Sequence, residues 1–141
     1  MIRLHAAYQI TDYITLKNRV EYHFNNNEDG KYNSYLFYQD ILYNSIDRHY
    51  SLAFRYEIFN AEEGSVYAYE NDVLYSFAIG GLSDKGIRTY IVGKIKLFER
   101  MQVSAKIGLT YYDKKTEIGS GLETINNNWR SDYKIQLIWN I

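Results

Sequence analysis

The chain has no cysteine and no proline in its 141 residues. The missing cysteines exclude a disulfide framework, thiolate metal sites and cysteine nucleophiles together, and they leave the redox compartment open. No stretch of 18 apolar residues occurs, which excludes a transmembrane helix. A transmembrane β-barrel is not excluded, because its strands alternate and average to mild polarity, in keeping with the mean hydropathy of -0.43. Neither sign of charge dominates: 16 basic and 17 acidic residues are spread along the chain for a net charge of -1. No basic face marks a nucleic-acid partner. The opening "MIRLHAAYQITDYITLKNRV" lacks the apolar core and small-residue cleavage site of a secretory signal, so the expectation is a cytoplasmic chain or one that begins after its signal.

What the sequence does contain is aromatic residues, 17% of the total, with 16 tyrosines, and a recurrent two-residue rhythm. This is β-rich composition, in a length that suits a single domain. In "IRLHAAYQI", Ile2, Leu4, Ala6, Tyr8 and Ile10 oppose Arg3, His5, Ala7 and Gln9. In "ITLKNRVEYHF", Ile14, Leu16, Val20, Tyr22 and Phe24 oppose Lys17, Arg19, Glu21 and His23, with Asn18 the one polar residue on the first face. The runs "YSLAFRYEI", "IRTYIVGKIKL", "VSAKIGLTY" and "YKIQLIWNI" repeat the rule, and Ile138 is the exception in the last. Since a period of two sends successive side chains to opposite faces of a strand, each run has one greasy and one wet side. "YNSYLFYQDILYN" and "SVYAYENDVLYSFAI" read as strands by composition more than by alternation.

Turn signals near 12, at 25–30, 44–47, 60–64 and 80–86, near 100 and at 114–128 separate about eight strands with no helical pattern. The predicted fold is all-β: an antiparallel up-and-down transmembrane β-barrel, complete in residues 1–141 or forming the C-terminal portion of a larger barrel. Several runs reach about 11 residues, the length of a tilted bilayer crossing. The best-patterned greasy faces carry no Lys, Arg, Asp or Glu. Leu52, Phe54, Ile91 and Ile107 are therefore expected to face lipid. Arg19, Glu21, Arg55, Glu57, Lys94, Lys96 and Lys106 are expected to form a lumen-facing polar network. Tyr8, Tyr22, Tyr50, Trp129, Tyr133 and Trp139 lie near strand ends, as interfacial girdles require. Periodicity alone does not say which face points inward, so a soluble lipid-carrier barrel with the greasy face as core, binding a small apolar ligand, is the alternative.

One difficulty arises in the order of turns. With a full crossing at 65–79, the tight turns near 12 and 47 fall at the end opposite the tight turn near 100, whereas one long excursion over 60–86 puts them together. The sequence leaves both open.

"VYAYENDVLYSF" (66–77), Gly86, Arg88 and Tyr90, "TYYDKKTEIGSGLETI" (110–125) and the terminal "QLIWNI" together resemble the C-terminal β-barrel region of Bacteroidota outer-membrane proteins that carry a helix-hairpin-helix segment nearer their N-terminus. The likeness spans about residues 50–141. It departs from the pattern in lacking the helix-hairpin-helix motif and the proline that usually follows "YSF". The resemblance implies a Gram-negative outer-membrane location and a structural or transport-related, non-enzymatic role. The implied partners are outer-membrane lipid, the barrel-assembly machinery and the rest of a larger barrel or another membrane subunit. It also implies that the terminal strand serves as an assembly signal, with Tyr133, Trp139 and Ile141 as its aromatic and apolar marks.

The remaining candidates for chemistry are weak. Glu70 and Asp72, two apart in "YENDV", could hold a cation but far more often meet lumen cations. His5, His23 and His49 lack metal-ligand spacing and a nucleophile partner. "GSG" at 119–121 lacks the lysine and the strand-to-helix context of a phosphate loop. No metal, cofactor or catalytic residue is expected.

Overall fold

The computed structural model describes residues 1–27, 30–76 and 79–140. These form one antiparallel sheet of seven strands in sequence order: β1 (Ile2–Thr11), β2 (Ile14–Asn27), β3 (Gly30–Asn44), β4 (Tyr50–Tyr69), β5 (Ile79–Phe98), β6 (Met101–Tyr112) and β7 (Trp129–Trp139). One helical turn, a 3-10 segment at Gly121–Glu123, interrupts the last loop. Each strand pairs with its chain neighbour and no further, so the sheet is open, with β1 and β7 as its edges.

The eight runs of the sequence become seven strands because two of them join. β4 continues through "NAEEG" as a bulge: between Ala61, opposite Asp84, and Val66, opposite Leu82, five steps of β4 match two of β5. The odd number of extra steps shifts the alternation, so Ala61, Val66 and Ala68 all stay on the buried face. That phase shift is why 66–69 looked like a separate strand. Asp84, with φ of 66°, adopts the left-handed conformation opposite the bulge. "GGLSDKG", read as a turn, is likewise inside β5.

The longer strands also resolve the order of turns. The tight turns at 12–13, 45–49 and 99–100 lie at one end of the sheet, while the 70–76 and 113–128 loops and the paired Asn27 and Gly30 of β2 and β3 lie at the other. At the tight-turn end adjacent hairpins are tied by backbone hydrogen bonds, Asn44 N–H to Tyr13 O at 2.9 Å and Lys96 N–H to His49 O at 2.7 Å.

Cross-strand register carries one face through all seven strands. The row His5–Arg19–Tyr38–Glu57–Arg88–Thr110–Arg130 lies on one side, and the row Leu4–Val20–Phe37–Ile58–Ile87–Tyr111–Trp129 on the other. The first face is the buried one. In its long-loop half Leu36, Phe59, Ala61, Val66, Ala68, Leu82, Tyr112 and Ile118 form an apolar cluster, Ile118 reaching it from the 113–128 loop.

Candidate functional site

The buried face is also the charged face. Because like parity puts Glu21, Asp40, Arg55, Glu57, Arg88, Lys106, Asp132 and Lys134 on one side, their side chains meet in the space the sheet curls around, where an unpaired charge is costly. They are paired, in three groups.

Across β1 and β2, the buried Glu21 carboxylate accepts from Arg3 Nε at 2.7 Å and from Arg19, and lies 2.5 Å from His23 Nε2. Between β3 and β4, Arg55 grips Asp40 with two bonds, Nε to Oδ1 at 2.6 Å and Nη2 to Oδ2 at 2.8 Å, and reaches Glu57 Oε2 at 3.5 Å. Its guanidinium lies 3.7 Å from the centre of the Tyr38 ring, a cation–π contact away from water. Both Arg55 and Glu57 are fully buried, and Glu57 Oε1 has no hydrogen-bond partner.

The third group joins three strands to the 70–76 loop, which folds back over the buried face. Arg88 on β5 binds Glu70 through Nε at 2.5 Å and Nη2 at 3.0 Å, and Asp132 on β7 through Nη1 at 2.8 Å. Lys106 on β6 donates to Glu70 at 2.7 Å and Asp72 at 3.2 Å. Lys134 on β7 donates to Asp72 and to Ser76 Oγ, both at 2.7 Å. Tyr90 Oη accepts from the Asn71 backbone N–H at 2.8 Å, and Gln136 donates to Leu74 O at 2.6 Å. Gly86, Arg88 and Tyr90, noted in the sequence as a Gly-x-Arg-x-Tyr stretch, thus share one face. Arg88 and Tyr90 hold the loop, while at Gly86 an added Cβ would lie 2.1 Å from Tyr111 O and 2.8 Å from the Phe59 ring.

The structure brings together part of the network expected from sequence. Arg19 with Glu21, Arg55 with Glu57, and Lys106 are in these groups. Lys94 and Lys96 are on the same face but nearer the tight-turn end, and neither makes an ion pair within 4 Å among the described residues. Asp40 was missed because "YQDILY" alternates poorly; its register opposite Arg55 is what reveals it. Glu70 and Asp72 are not strand residues sharing a face: they lie in the loop, and their oxygens are taken by Arg88, Lys106 and Lys134. The described residues contain no group of three or more His, Asp or Glu side chains able to hold a metal. His49 pairs with Asp47 in the 45–49 turn at 3.0 Å, and His5 is exposed on β1. The glycines of "GSG", Gly119 at φ 86° and Gly121 at φ 61°, frame the 3-10 turn. Tyr133 and Trp139 project from the uncharged face of β7, and Ile141 lies outside the described residues.

The opposite face is exposed and apolar. Leu52, Phe54, Ile91 and Ile107 stand on it, Leu52 at 45% and Ile107 at 47% exposure. Within the paired segments 2–10, 14–24, 35–43, 50–60, 87–97, 101–111 and 129–139 it bears no Asp, Glu, Lys or Arg. Aromatic pairs stand near strand ends on it, Tyr22 with Phe24 at 4.7 Å, Tyr43 with Tyr50 at 6.0 Å and Tyr111 with Trp129 at 5.0 Å. No described helix is long and apolar enough to cross a membrane, which leaves crossing by strands untouched.

Compared with family models, with curated proteins and with solved structures, the chain matches none. Its reading therefore stands on its own residues.

The loop latch gives a pH prediction. Burial pushes the Glu70 carboxyl up, but Arg88 and Lys106 more than offset this and hold it below its usual range; burial likewise opposes, and Lys134, the Val73 N–H and Lys106 override, at Asp72. A carboxylate with a depressed folded pKa contributes stability above its ordinary pKa and loses it as pH falls through the folded value. The 70–76 latch should therefore hold at neutral pH and loosen below the ordinary carboxylate range of about 4. Limited proteolysis in detergent should show faster cleavage at 70–76 at pH 3 than at pH 7, and Glu70→Gln with Asp72→Asn should give the fast cleavage already at pH 7. Equal rates throughout would mean that the ion pairs do not hold the loop.

Proposed function

We propose that this chain is wall of an outer-membrane β-barrel, with a structural or transport-related role and no enzymatic activity. One observation carries the reading: seven strands turn a continuous uncharged apolar face outward and keep their charges on the inner face, where three groups of them are paired. This polarity is the inverse of a water-soluble sheet and matches a lipid-facing exterior with a polar interior. The alternative, a soluble carrier with its greasy face as core, requires the opposite arrangement. Large exposed apolar areas on soluble proteins rarely exceed a few hundred Å², whereas here most of one sheet face is apolar.

Aromatic residues near the strand ends suit the two bilayer interfaces. The tight turns at 12–13, 45–49 and 99–100 at one end suit a periplasmic side, and the loops that follow β4 and β6 at the other, where β2 and β3 also meet at Asn27 and Gly30, suit an extracellular side. Location in the outer membrane of a Bacteroidota-like bacterium, and delivery by the barrel-assembly machinery through the β7 strand with Tyr133 and Trp139, follow from the resemblance noted in the sequence. The in-folded 70–76 loop fits a constriction of the interior from the extracellular side.

Fractionation tests the reading. Expressed with a secretion signal in a Gram-negative host, the chain should be recovered in the outer-membrane pellet and need detergent for extraction. A monodisperse soluble monomer without detergent would sink the proposal.

A further inference from the structure

The open edges carry an inference about what completes the sheet. β1 and β7 are separated by an even number of antiparallel steps, so they run in the same direction, both from the long-loop end to the tight-turn end. Joined directly they would form a parallel pair, out of keeping with every other pairing in the sheet. No Cα atom of β1 comes within 8 Å of one in β7, which excludes direct pairing at the usual spacing of about 4.8 Å. An antiparallel match to both edges needs an odd number of inserted strands, and one, the fewest, would hold its two neighbours about 9.6 Å apart, beyond the 8 Å bound. A second copy in the same membrane orientation presents edges of the same direction and cannot supply the antiparallel match. In lipid, the outer backbone N–H and C=O groups of both edges have no water to turn to, and each unmet group is costly. All ten residues of β1 are exposed, inner face included, as expected where the strand opposite is missing.

We propose that β1 and β7 jointly take up one amphipathic β-strand, antiparallel to both, that is not among β1–β7. This rests on the membrane reading above and names its partner. Outward positions of that strand are apolar or aromatic, continuing the uncharged belt. Its inward positions near the long-loop end are acidic, because Arg3 and Arg130 flank that part of the gap and Arg130 makes no ion pair within 4 Å among the described residues.

The absence of native cysteine makes crosslinking a clean test. Ile2→Cys, Ala6→Cys and Ser131→Cys place single thiols on exposed outward positions of the two edges. Each is refolded in detergent with synthetic ten-residue peptides of alternating apolar and polar residues, each carrying one outward cysteine at a different position. The expected result is disulfide formation with both edges. Moving the chain thiol from 6 to 2 should move the best peptide position four residues the other way, toward the peptide's C-terminus. Peptides with inward glutamate near the C-terminal end should crosslink about fivefold more than those with lysine. Crosslinking with the shift in the same direction, a disulfide between β1 and β7 in the Ala6→Cys/Ser131→Cys protein without peptide, or no crosslink to either edge would each overturn the proposal. Any of these obtained with protein that still requires detergent leaves the membrane reading intact, whereas a detergent-free soluble monomer would overturn that reading itself.

Discussion

Leu52→Arg should markedly lower recovery of the chain in the outer membrane, while Ala53→Arg leaves most of it there. The two positions are neighbours on β4 but point to opposite faces: Leu52 stands opposite Tyr43 and Gly93 on the uncharged side, and Ala53 opposite Leu42 and Val92 on the inner side. An outward arginine costs roughly 2 to 4 kcal/mol at the middle of a bilayer and about 0 to 1 kcal/mol near its interfaces, and Leu52, opposite Tyr43 and two residues past Tyr50, lies toward the tight-turn end, where about 1 kcal/mol lowers the folding constant about fivefold. An arginine at 53 points toward an interior that already accommodates Arg55 and Lys94, the latter with no ion pair within 4 Å among the described residues, and its long side chain can extend toward the tight-turn end. Ile91→Arg, opposite Phe54 and Ile107 and farther from the strand ends, should lower recovery more. Quantifying outer-membrane protein by immunoblot after fractionation decides the matter, and equal tolerance at 52 and 53 would count against a lipid-facing exterior.

Arg55→Ala should be the most destabilising single change on the inner face, by about 3 to 5 kcal/mol. The guanidinium is the only cation in bonding contact with Asp40 among the described residues, and it also reaches Glu57, so its removal leaves two buried carboxylates without a positive partner. It also empties the volume packed against the Tyr38 ring. Replacing Arg55 and Asp40 together by methionine and leucine should recover much of the loss, because a buried ion pair exchanged for apolar groups of like volume is often near neutral. Lys94→Ala, which breaks no ion pair, should shift stability by under about 0.5 kcal/mol. Urea unfolding in detergent micelles, followed by tryptophan fluorescence of Trp129 and Trp139, measures all three variants. A cost at Arg55 no larger than at Lys94 would mean that the group at 40, 55 and 57 is solvated.

The alternation in β2, β6 and β7, and in β1 as far as Gln9, was legible because each holds one phase over its paired length. The partition of Leu52, Phe54, Ile91 and Ile107 from Arg19, Arg55 and Lys106 followed from parity alone. The strand count was harder to read for a definite reason: the bulge after Ala61 inserts residues that reset the phase, so one strand of 20 residues imitates two, and "NAEEG" has the composition of a turn without forming one. The loop latch was equally hidden. Glu70 and Asp72 stand 62 residues or fewer from their cations in sequence, yet nothing local couples them; only the return of 70–76 over the sheet does.

What the sequence determined by itself was class and polarity: strands from composition and two-residue spacing, and two faces from which residues share parity, since a strand's side chains have no other choice of direction. The tertiary structure decided which face is inside, because that depends on how the sheet curls, a property of many strands together. It decided which charges meet, because ion pairs such as Arg55 with Asp40 and Arg88 with Asp132 are set by cross-strand register and not by spacing along the chain. It also decided that seven strands leave two edges running the same way, a consequence of strand number and pairing order that no single segment encodes.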